Sequence, residues 1–288
     1  AVGAFALTNQ TTGNSNEAFG WKALFSSTTG TYNTAVGTES MYPLTTGHRN
    51  VGVGAAALRN ITTGAYNTAS GAYALNSNTT GANNTASGYN AASSITTGQY
   101  NTAIGTFALR DSTAAYNNVA IGGFALGSNT TGNYNTATGY QALYANTTGI
   151  NNTATGMNTL VTNTTGTQNT ATGVSSLNSN TTGINNTANG YFALNSNTTG
   201  TYNIGIGSGA GDAITTGSNN TVIGDLAGST TMADTVLIGS GTTERLKIDA
   251  SGLTINGAAL ALGATSIDGL SDGYYAGASL GLGAGALA

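Results

Sequence analysis

The chain has 288 residues, of which 44 are glycine, one is proline and none is cysteine. Charged residues make up 6% of the sequence and the net charge is −4, whereas an average globular protein has about 25% charged residues. This balance leaves no basic surface that would attract nucleic acid. The lack of cysteine excludes disulfides and thiolate metal sites. No apolar run reaches the roughly 18 residues of a membrane-spanning helix, so we expect no membrane insertion.

A repeat of 17 residues occupies most of the chain. Its glycine recurs at every seventeenth position from Gly3 to Gly224 without an insertion, which makes fourteen copies. The consensus is N-T-A-x-G-x-x-A-L-x-x-N-T-T-G-x-Y/N, and we number its places from 1 to 17, so that Asn101 is at place 1 and Gly105 at place 5. Helical repeats need about 30 residues or more per unit, and Gly, Asn and Thr are poor helix formers. The repeat therefore predicts an all-β parallel β-solenoid (a β-roll) in which each copy is one coil.

Comparison of the copies predicts which places are buried. Place 9 is leucine in most coils, place 3 is mostly alanine, and place 8 is Ala, Ser or Thr throughout. These three columns predict a thin core. Glycines at places 5 and 15 are expected to turn the backbone with positive φ. The predicted core ladder comprises Leu7, Leu24, Leu58, Leu75, Leu109, Leu126, Leu143, Leu160, Leu177 and Leu194, and the predicted turn glycines include Gly37, Gly71, Gly105, Gly139 and Gly173.

The thin core indicates that several chains associate. One leucine and two small residues per coil bury little apolar surface, whereas ordering each residue costs about 1.5 kcal/mol of conformational entropy. Packing several chains about one axis would bury the remaining small apolar faces. A homotrimer is the simplest closed symmetry for such a fibre. At about 4.8 Å per strand layer, the stacked coils would extend about 65 Å.

Two kinds of surface ladder indicate alternative functions. Tyrosines recur at place 17, where rings would be able to hold sugars or contact a receptor. We favour the interpretation that these rings cap neighbouring coils and stack on each other. Threonines at places 13 and 14 form columns that would be able to order water, as in an ice-binding solenoid, although threonine beside turn residues often bonds its own backbone. The tyrosine ladder comprises Tyr32, Tyr66, Tyr100, Tyr134 and Tyr202.

No constellation in the sequence indicates catalysis, a cofactor or a metal. The single histidine, His48, lacks an orienting partner and a nucleophile, and we interpret it as an exposed coil corner. The acidic residues fall at different places of the repeat, so they predict no carboxylate pair for glycoside cleavage. Asp212, Asp225 and Asp234 crowd the end of the repeats without the spacing of a calcium loop. Asn-x-Thr sequences, such as the one that begins at Asn78, are candidate glycosylation sites.

The repeats occupy 1–234, and a chemically different module follows at 235–278. Residues 245–249 alternate with period two, residues 250–252 have a turn composition, and residues 253–255 predict the returning strand. A loop-like stretch covers 268–278. The last ten residues, 279–288, fit places 1 to 10 of the consensus and predict the start of a further coil. Because both ends cut through a repeat, we expect the chain to be a piece of a longer fibre.

Two motifs resemble those of known fibrous proteins. N-T-A-I-G at 101–105 and N-V-A-I-G at 118–122 resemble the S-V-A-I-G motif of trimeric autotransporter adhesin heads, whose left-handed β-roll has coils shorter than the 17 residues found here. The full consensus is similar to repeats in tail fibres of tailed phages. E-R-L-K-I-D-A-S-G-L-T-I-N-G at 244–257 is similar to the strand segment that such fibres carry ahead of a C-terminal self-cleaving chaperone domain. The resemblance implies a homotrimeric fibre.

The sequence thus predicts a structural fibre segment on a virion surface or a cell surface, outside the cell. The first expectation is the shaft or head of a phage-type tail fibre, which extends and presents a receptor-binding surface. A bacterial adhesin stalk and a self-assembling extracellular filament are alternatives, and an ice-binding solenoid is a lesser one. The expected partners are further copies of the chain and a cell-surface receptor or glycan.

Overall fold

The computed structural model describes residues 1–240, 243–255 and 258–259. Within these ranges the chain contains no helix, and its seventeen strands form one sheet. No described segment offers a helix with the length and hydropathy to cross a membrane. The strands are β1 (Glu17–Phe19), β2 (Thr34–Val36), β3 (Val51–Val53), β4 (Thr68–Ser70), β5 (Thr85–Ser87), β6 (Thr102–Ile104), β7 (Val119–Ile121), β8 (Thr136–Thr138), β9 (Thr153–Thr155), β10 (Thr170–Thr172), β11 (Thr187–Asn189), β12 (Ile204–Ile206), β13 (Thr221–Ile223), β14 (Val236–Ser240), β15 (Thr243–Asp249), β16 (Gly252–Ile255) and β17 (Ala258–Ala259).

Strands β1 to β13 each cover places 2 to 4 of a coil. The middle residue, usually alanine, is buried, while the residues at places 2 and 4 face outward, as in β5 and β10. This follows from the two-residue period of an extended chain. Thr, Val and Ile at the outward places favour extended backbone, and the small residue between them lets the rest of the coil pack close.

Successive strands pair in parallel with a constant step of one coil. Thr102 of β6 pairs with Val119 of β7, and the same 17-residue step recurs from β1 to β13. The predicted parallel β-solenoid is confirmed, and the fourteen place-5 glycines delimit about thirteen turns. The change of period after Gly224 does not end the ladder. Thr221 of β13 pairs in parallel with Val236 of β14, a step of fifteen residues, because the connection is two residues shorter.

The predicted core ladder at place 9 is also confirmed. Nine of its ten leucines are 0% exposed, and Leu7, in the first coil, is partly buried. In two coils whose place 9 is Ala or Gly, place 12 is isoleucine. Ile95 follows Ala92 within one coil, and Ile214 follows Gly211, and both isoleucines are completely buried. Side chains at both places therefore fill the interior.

Truncation of one core leucine tests this packing. Leu109→Ala should lower the free energy of unfolding by about 2 to 5 kcal/mol, the range for buried leucine. Leu109 is 0% exposed, and place 12 of its coil is Ser112, which is too small to fill the cavity. Urea unfolding followed by circular dichroism measures the loss. The exposed Thr131→Ala is the control and should change stability by no more than about 0.5 kcal/mol. Equal losses would contradict the burial of this column.

Two buried columns of asparagine were not predicted. Place 1 is asparagine in every coil from Asn16 to Asn220, and from Asn33 onward these side chains are at most 1% exposed. The Asn118 amide donates to Asn101 Oδ1 at 3.2 Å and to the carbonyl oxygen of Gly132 at 3.0 Å. Such pairing permits polar groups in a core. A second column at place 12 comprises Asn129, Asn146, Asn163, Asn180 and Asn197.

The glycines at places 5 and 15 have different functions. Gly105 at place 5 has φ +130°, as predicted. The prediction of positive φ is wrong for place 15. Gly64 there has no positive φ, but a Cβ on it would lie 2.5 Å from the carbonyl oxygen of Gly81 in the next coil. The left-handed turns instead occur at places 7, 9 and 17, for example at Leu109 and Asn117.

The module after the repeats contains the predicted hairpin. β15 and β16 pair antiparallel, with Asp249 opposite Gly252 across the turn. β15 also pairs antiparallel with β14, with a bulge between Ile238 and Gly239. The loop-like stretch at 268–278 and the further coil at 279–288 lie outside the described residues.

Candidate functional site

A cavity lies between the end of the solenoid and the β15–β16 hairpin. It has a volume of 680 Å³ and is lined in part by Glu244, Lys247 and Asp249. Hydrogen bonds from Ser251 and the neighbouring Lys247 lower the pKa of Asp249 to about 2. The hydrogen bond to Asp249 raises the pKa of Lys247 in turn. The charges of Lys247 and Asp249 therefore satisfy each other across a 3.0 Å ion pair.

The acidic residues near the end of the repeats do not gather. Within the residues that the structure describes, no three His, Cys, Asp or Glu side chains are arranged to hold a metal ion. The carboxylate of Asp234 accepts a hydrogen bond from the Asn219 amide at 3.0 Å. It therefore caps the last regular coil.

His48 lies at a coil corner, beside a small cation–π cluster. Its ring contacts the Tyr66 ring edge-on, with centroids 5.2 Å apart. The Arg49 guanidinium lies 5.7 Å from the Tyr32 ring and 5.4 Å from the Tyr66 ring, and its Nη1 donates to Tyr66 Oη at 2.6 Å. Such contacts join three successive coils through side chains. The arrangement stabilises the surface at this corner of the coil.

The five tyrosines of place 17 are exposed, between 46% and 58%. No ring contact joins two of them within the described chain, so the favoured interpretation of mutual stacking is wrong. Consecutive members such as Tyr66 and Tyr100 lie two coils apart, because Asn83 occupies place 17 of the coil between them. Two coils span about 9.6 Å, which exceeds the 4.5 to 7 Å range of ring contacts. The rings therefore do not stack on each other, although Arg49 bridges Tyr32 and Tyr66.

The continuous aromatic contacts occur at places 6 and 7 instead. The rings of Tyr73, Tyr89, Phe107, Phe124 and Tyr140 follow one another with centroid distances of 6.1, 5.5, 5.1 and 6.1 Å. We call these five residues the aromatic strip. They alternate irregularly between the two places, which hides the strip from a comparison of single places. Each contact contributes about 0.5 to 1.5 kcal/mol, so the strip stabilises the stacking of five coils.

The two threonine columns differ in their partners. At place 13 the hydroxyl donates to the main-chain oxygen of the threonine one coil further on, as Thr79 Oγ1 does to Thr96 at 3.1 Å. Thr164 repeats this contact with Thr181 at 3.1 Å. The bond is therefore made to the neighbouring coil rather than to the residue's own backbone. Place 14, represented by Thr131, is exposed. It is therefore a single exposed threonine column rather than one of a pair.

The Asn-x-Thr sequence at Asn78 is not accessible. The side chain is 0% exposed, and its amide donates to the carbonyl oxygen of Gly81 at 3.2 Å. The prediction of glycosylation at Asn78 is therefore wrong, because this asparagine faces the core. Asn83, which begins Asn83-Asn84-Thr85, is exposed.

The outward side of the strands forms an uncharged surface along the rod. Strands β2 to β13 present two outward residues each, at places 2 and 4, hence 24 side chains, of which none is charged. All are Thr, Val or Ile except Ser70, Ser87 and Asn189. We call these 24 residues the outer strand face. The sequence comparison missed it, because these places vary between coils while sharing shape and lack of charge.

Comparison with models of known protein families finds no match, and comparisons with curated proteins and with solved structures find none either.

Proposed function

We propose that this chain is a structural fibre segment that associates as a homotrimer outside the cell or on a virion. The observation that carries the proposal is the unbroken parallel ladder from β1 to β14. Thirteen turns at about 4.8 Å make a rod of about 62 Å. Such a rod separates whatever lies at its two ends, as the shaft of a phage-type tail fibre or a bacterial adhesin stalk does.

Hydrogen bonds along the axis support a load-bearing role. Main-chain bonds join Thr102 to Asn118 at 2.8 Å and Leu109 to Ala125 at 2.9 Å, and equivalent bonds recur in coil after coil. The asparagine side chains of place 1 add a further row inside the rod. Each coil is thereby bonded to both neighbours without disulfides, and the protein contains no cysteine.

The surface supports a second role in contact with a receptor or glycan. Tyr73, Tyr89 and Tyr140 of the aromatic strip are between 45% and 50% exposed. An aromatic ring offers a large contact area with a polar edge, which suits interfaces. The resemblance of residues 101–105 to an adhesin-head motif agrees with this role.

The native mass of the particle tests the proposal. We expect native mass spectrometry to give three times the chain mass of 28.3 kDa. Small-angle X-ray scattering should show a rod whose long dimension is near the length given above. A monomer would contradict the trimeric fibre. A broad, open-ended mass distribution would instead favour a self-assembling filament.

A further inference from the structure

We infer that the outer strand face is the surface through which copies of this chain associate side by side, in parallel and in register. The inference rests on the proposed fibre function and deepens it, because it names the surface and the partner. The partner is a second copy of this chain.

The chemistry of the face fits a surface that is covered in the assembly. Val53, Ile104 and Ile206 are 41%, 41% and 42% exposed in the isolated chain. None of the 24 positions of this face is charged and nine of them are Val or Ile, whereas the exposed column at place 14 is threonine from Thr12 to Thr216 apart from Ala114. The charged residues of the same coils lie elsewhere, such as Arg59, Arg110 and Asp111 at places 10 and 11.

The size of the face suits a stable contact. Twelve strands at about 4.8 Å spacing cover about 58 Å, and two outward columns with their side chains are about 10 Å wide. The face therefore offers about 600 Å² per chain, so three chains that turn it toward a common axis bury about 1,800 Å² together, within the range of standard interfaces. Branched side chains have few rotamers to lose, so covering them costs little conformational entropy.

The period of the face selects a copy of the same chain as its partner. The outward residues repeat with every strand layer along the whole rod. An irregular protein surface is unable to match twelve equivalent layers, whereas a second copy has the same spacing by construction. The layers match only if the two rods lie side by side with their axes aligned, whichever direction the two chains run.

The distribution of apolar residues selects the parallel orientation. Three strands carry two aliphatic side chains on the outer strand face, namely β3, β7 and β12. In a parallel, in-register pair each of these strands meets its own equivalent. In an antiparallel pair β3 would meet β12, but Val119 and Ile121 of β7 would meet Thr136 and Thr138 of β8. The parallel arrangement buries aliphatic groups against aliphatic groups at all three levels.

Lysine substitutions test the face directly. The triple variant Ile121→Lys, Thr155→Lys and Asn189→Lys places a charge on place 4 of alternate coils, where all three residues are exposed. Because an unpaired charge is costly to bury, we expect native mass spectrometry to show monomers at a concentration at which the unaltered chain is assembled. The matched control carries three lysines on exposed place 14 and should keep the assembled mass; its changes are Thr131→Lys, Thr165→Lys and Thr199→Lys.

Crosslinking gives a second measurement that does not depend on the lysine variants folding. The chain contains no cysteine, so Thr155→Cys introduces a single thiol on the outer strand face. A short bis-maleimide should link the Thr155→Cys chains in pairs, whereas the place-14 variant Thr148→Cys should stay uncrosslinked.

The outcomes separate the inference from the proposed function. An assembled mass that persists in the outer-face lysine variant, or crosslinks at Thr148→Cys but not at Thr155→Cys, would overturn the face assignment and leave the trimeric fibre standing. An unaltered chain that is monomeric would overturn both. Thermal hysteresis in such a monomer, lost in the outer-face variant and kept in the control, would assign the face to ice.

Discussion

Gly122→Ala is expected to lower the free energy of unfolding by about 3 to 5 kcal/mol, whereas Gly123→Ala should change it by less than about 1 kcal/mol. The two glycines are adjacent, so composition and position along the rod are matched. Gly122 has φ +127°, and a Cβ on it would lie 2.5 Å from the carbonyl oxygen of Gly139. At Gly123 the nearest atom to a Cβ is Tyr140 Cδ2 at 3.5 Å, an ordinary contact.

The cost at Gly122 is difficult to relieve, because the obstructing atoms belong to the main chain of the next coil. A side chain would rotate away, but the backbone of Gly139 is held by its own axial bonds. Since each coil contacts only its neighbours, we also expect the variant to unfold in two steps, one for each side of the defect. Urea unfolding followed by circular dichroism measures both effects. Equal stability of the two variants would show that the close approach at place 5 is not required.

Asn118→Asp is expected to destabilise the protein by about 3 to 5 kcal/mol at neutral pH, although it exchanges a single NH2 group for oxygen. Asn118 is 0% exposed, and its amide donates to Asn101 Oδ1 and to the carbonyl oxygen of Gly132. An aspartate would place acceptors opposite both of these acceptors and would bury a charge. Asn117→Asp is the matched control, because Asn117 is exposed and its left-handed φ of 56° is one that aspartate tolerates.

The loss in Asn118→Asp should depend on pH with a definite sign. Burial raises the pKa of such a carboxyl above its unfolded value of about 3.9. The folded state then retains a proton that the unfolded state releases, so stability falls as pH rises through the folded pKa. The deficit should be smallest near pH 4 and largest above neutral pH. Stability curves of the variant, its control and the unaltered protein between pH 4 and pH 8 test this. A deficit that grows as pH falls would contradict a buried carboxyl.

The solenoid and the leucine column were predictable, because they depend on an exact period and on a place that rarely varies. Any residue at place 9 lies in the same environment as its counterparts, so Leu58 and Leu160 report on each other. The asparagines of place 1 are equally regular, but their polarity does not indicate burial. Their burial depends on the amide of one coil meeting the carbonyl of the next, and such a contact is not apparent from one copy.

The remaining errors arose where one residue type serves two physical purposes. Glycine at place 15 permits the close approach of a carbonyl group, and glycine at place 5 also adopts positive φ, as Gly64 and Gly105 illustrate. The tyrosines of place 17 were expected to stack, but contact depends on the rise per coil as well as on recurrence. From coil to coil, the residues of the outer strand face keep a similar shape and lack of charge but change in identity. A consensus therefore does not display the face.

The one-coil range of the contacts also determines how the rod responds to force. Tension applied to the two ends of the polypeptide would strip coils successively, and each coil of 17 residues would release about 58 Å of slack when fully extended. Tension spread over the whole cross-section would instead load all hydrogen bonds between two neighbouring coils at the same time. The same molecule is therefore an extensible tether when held by its chain ends and a stiff strut when gripped across its width.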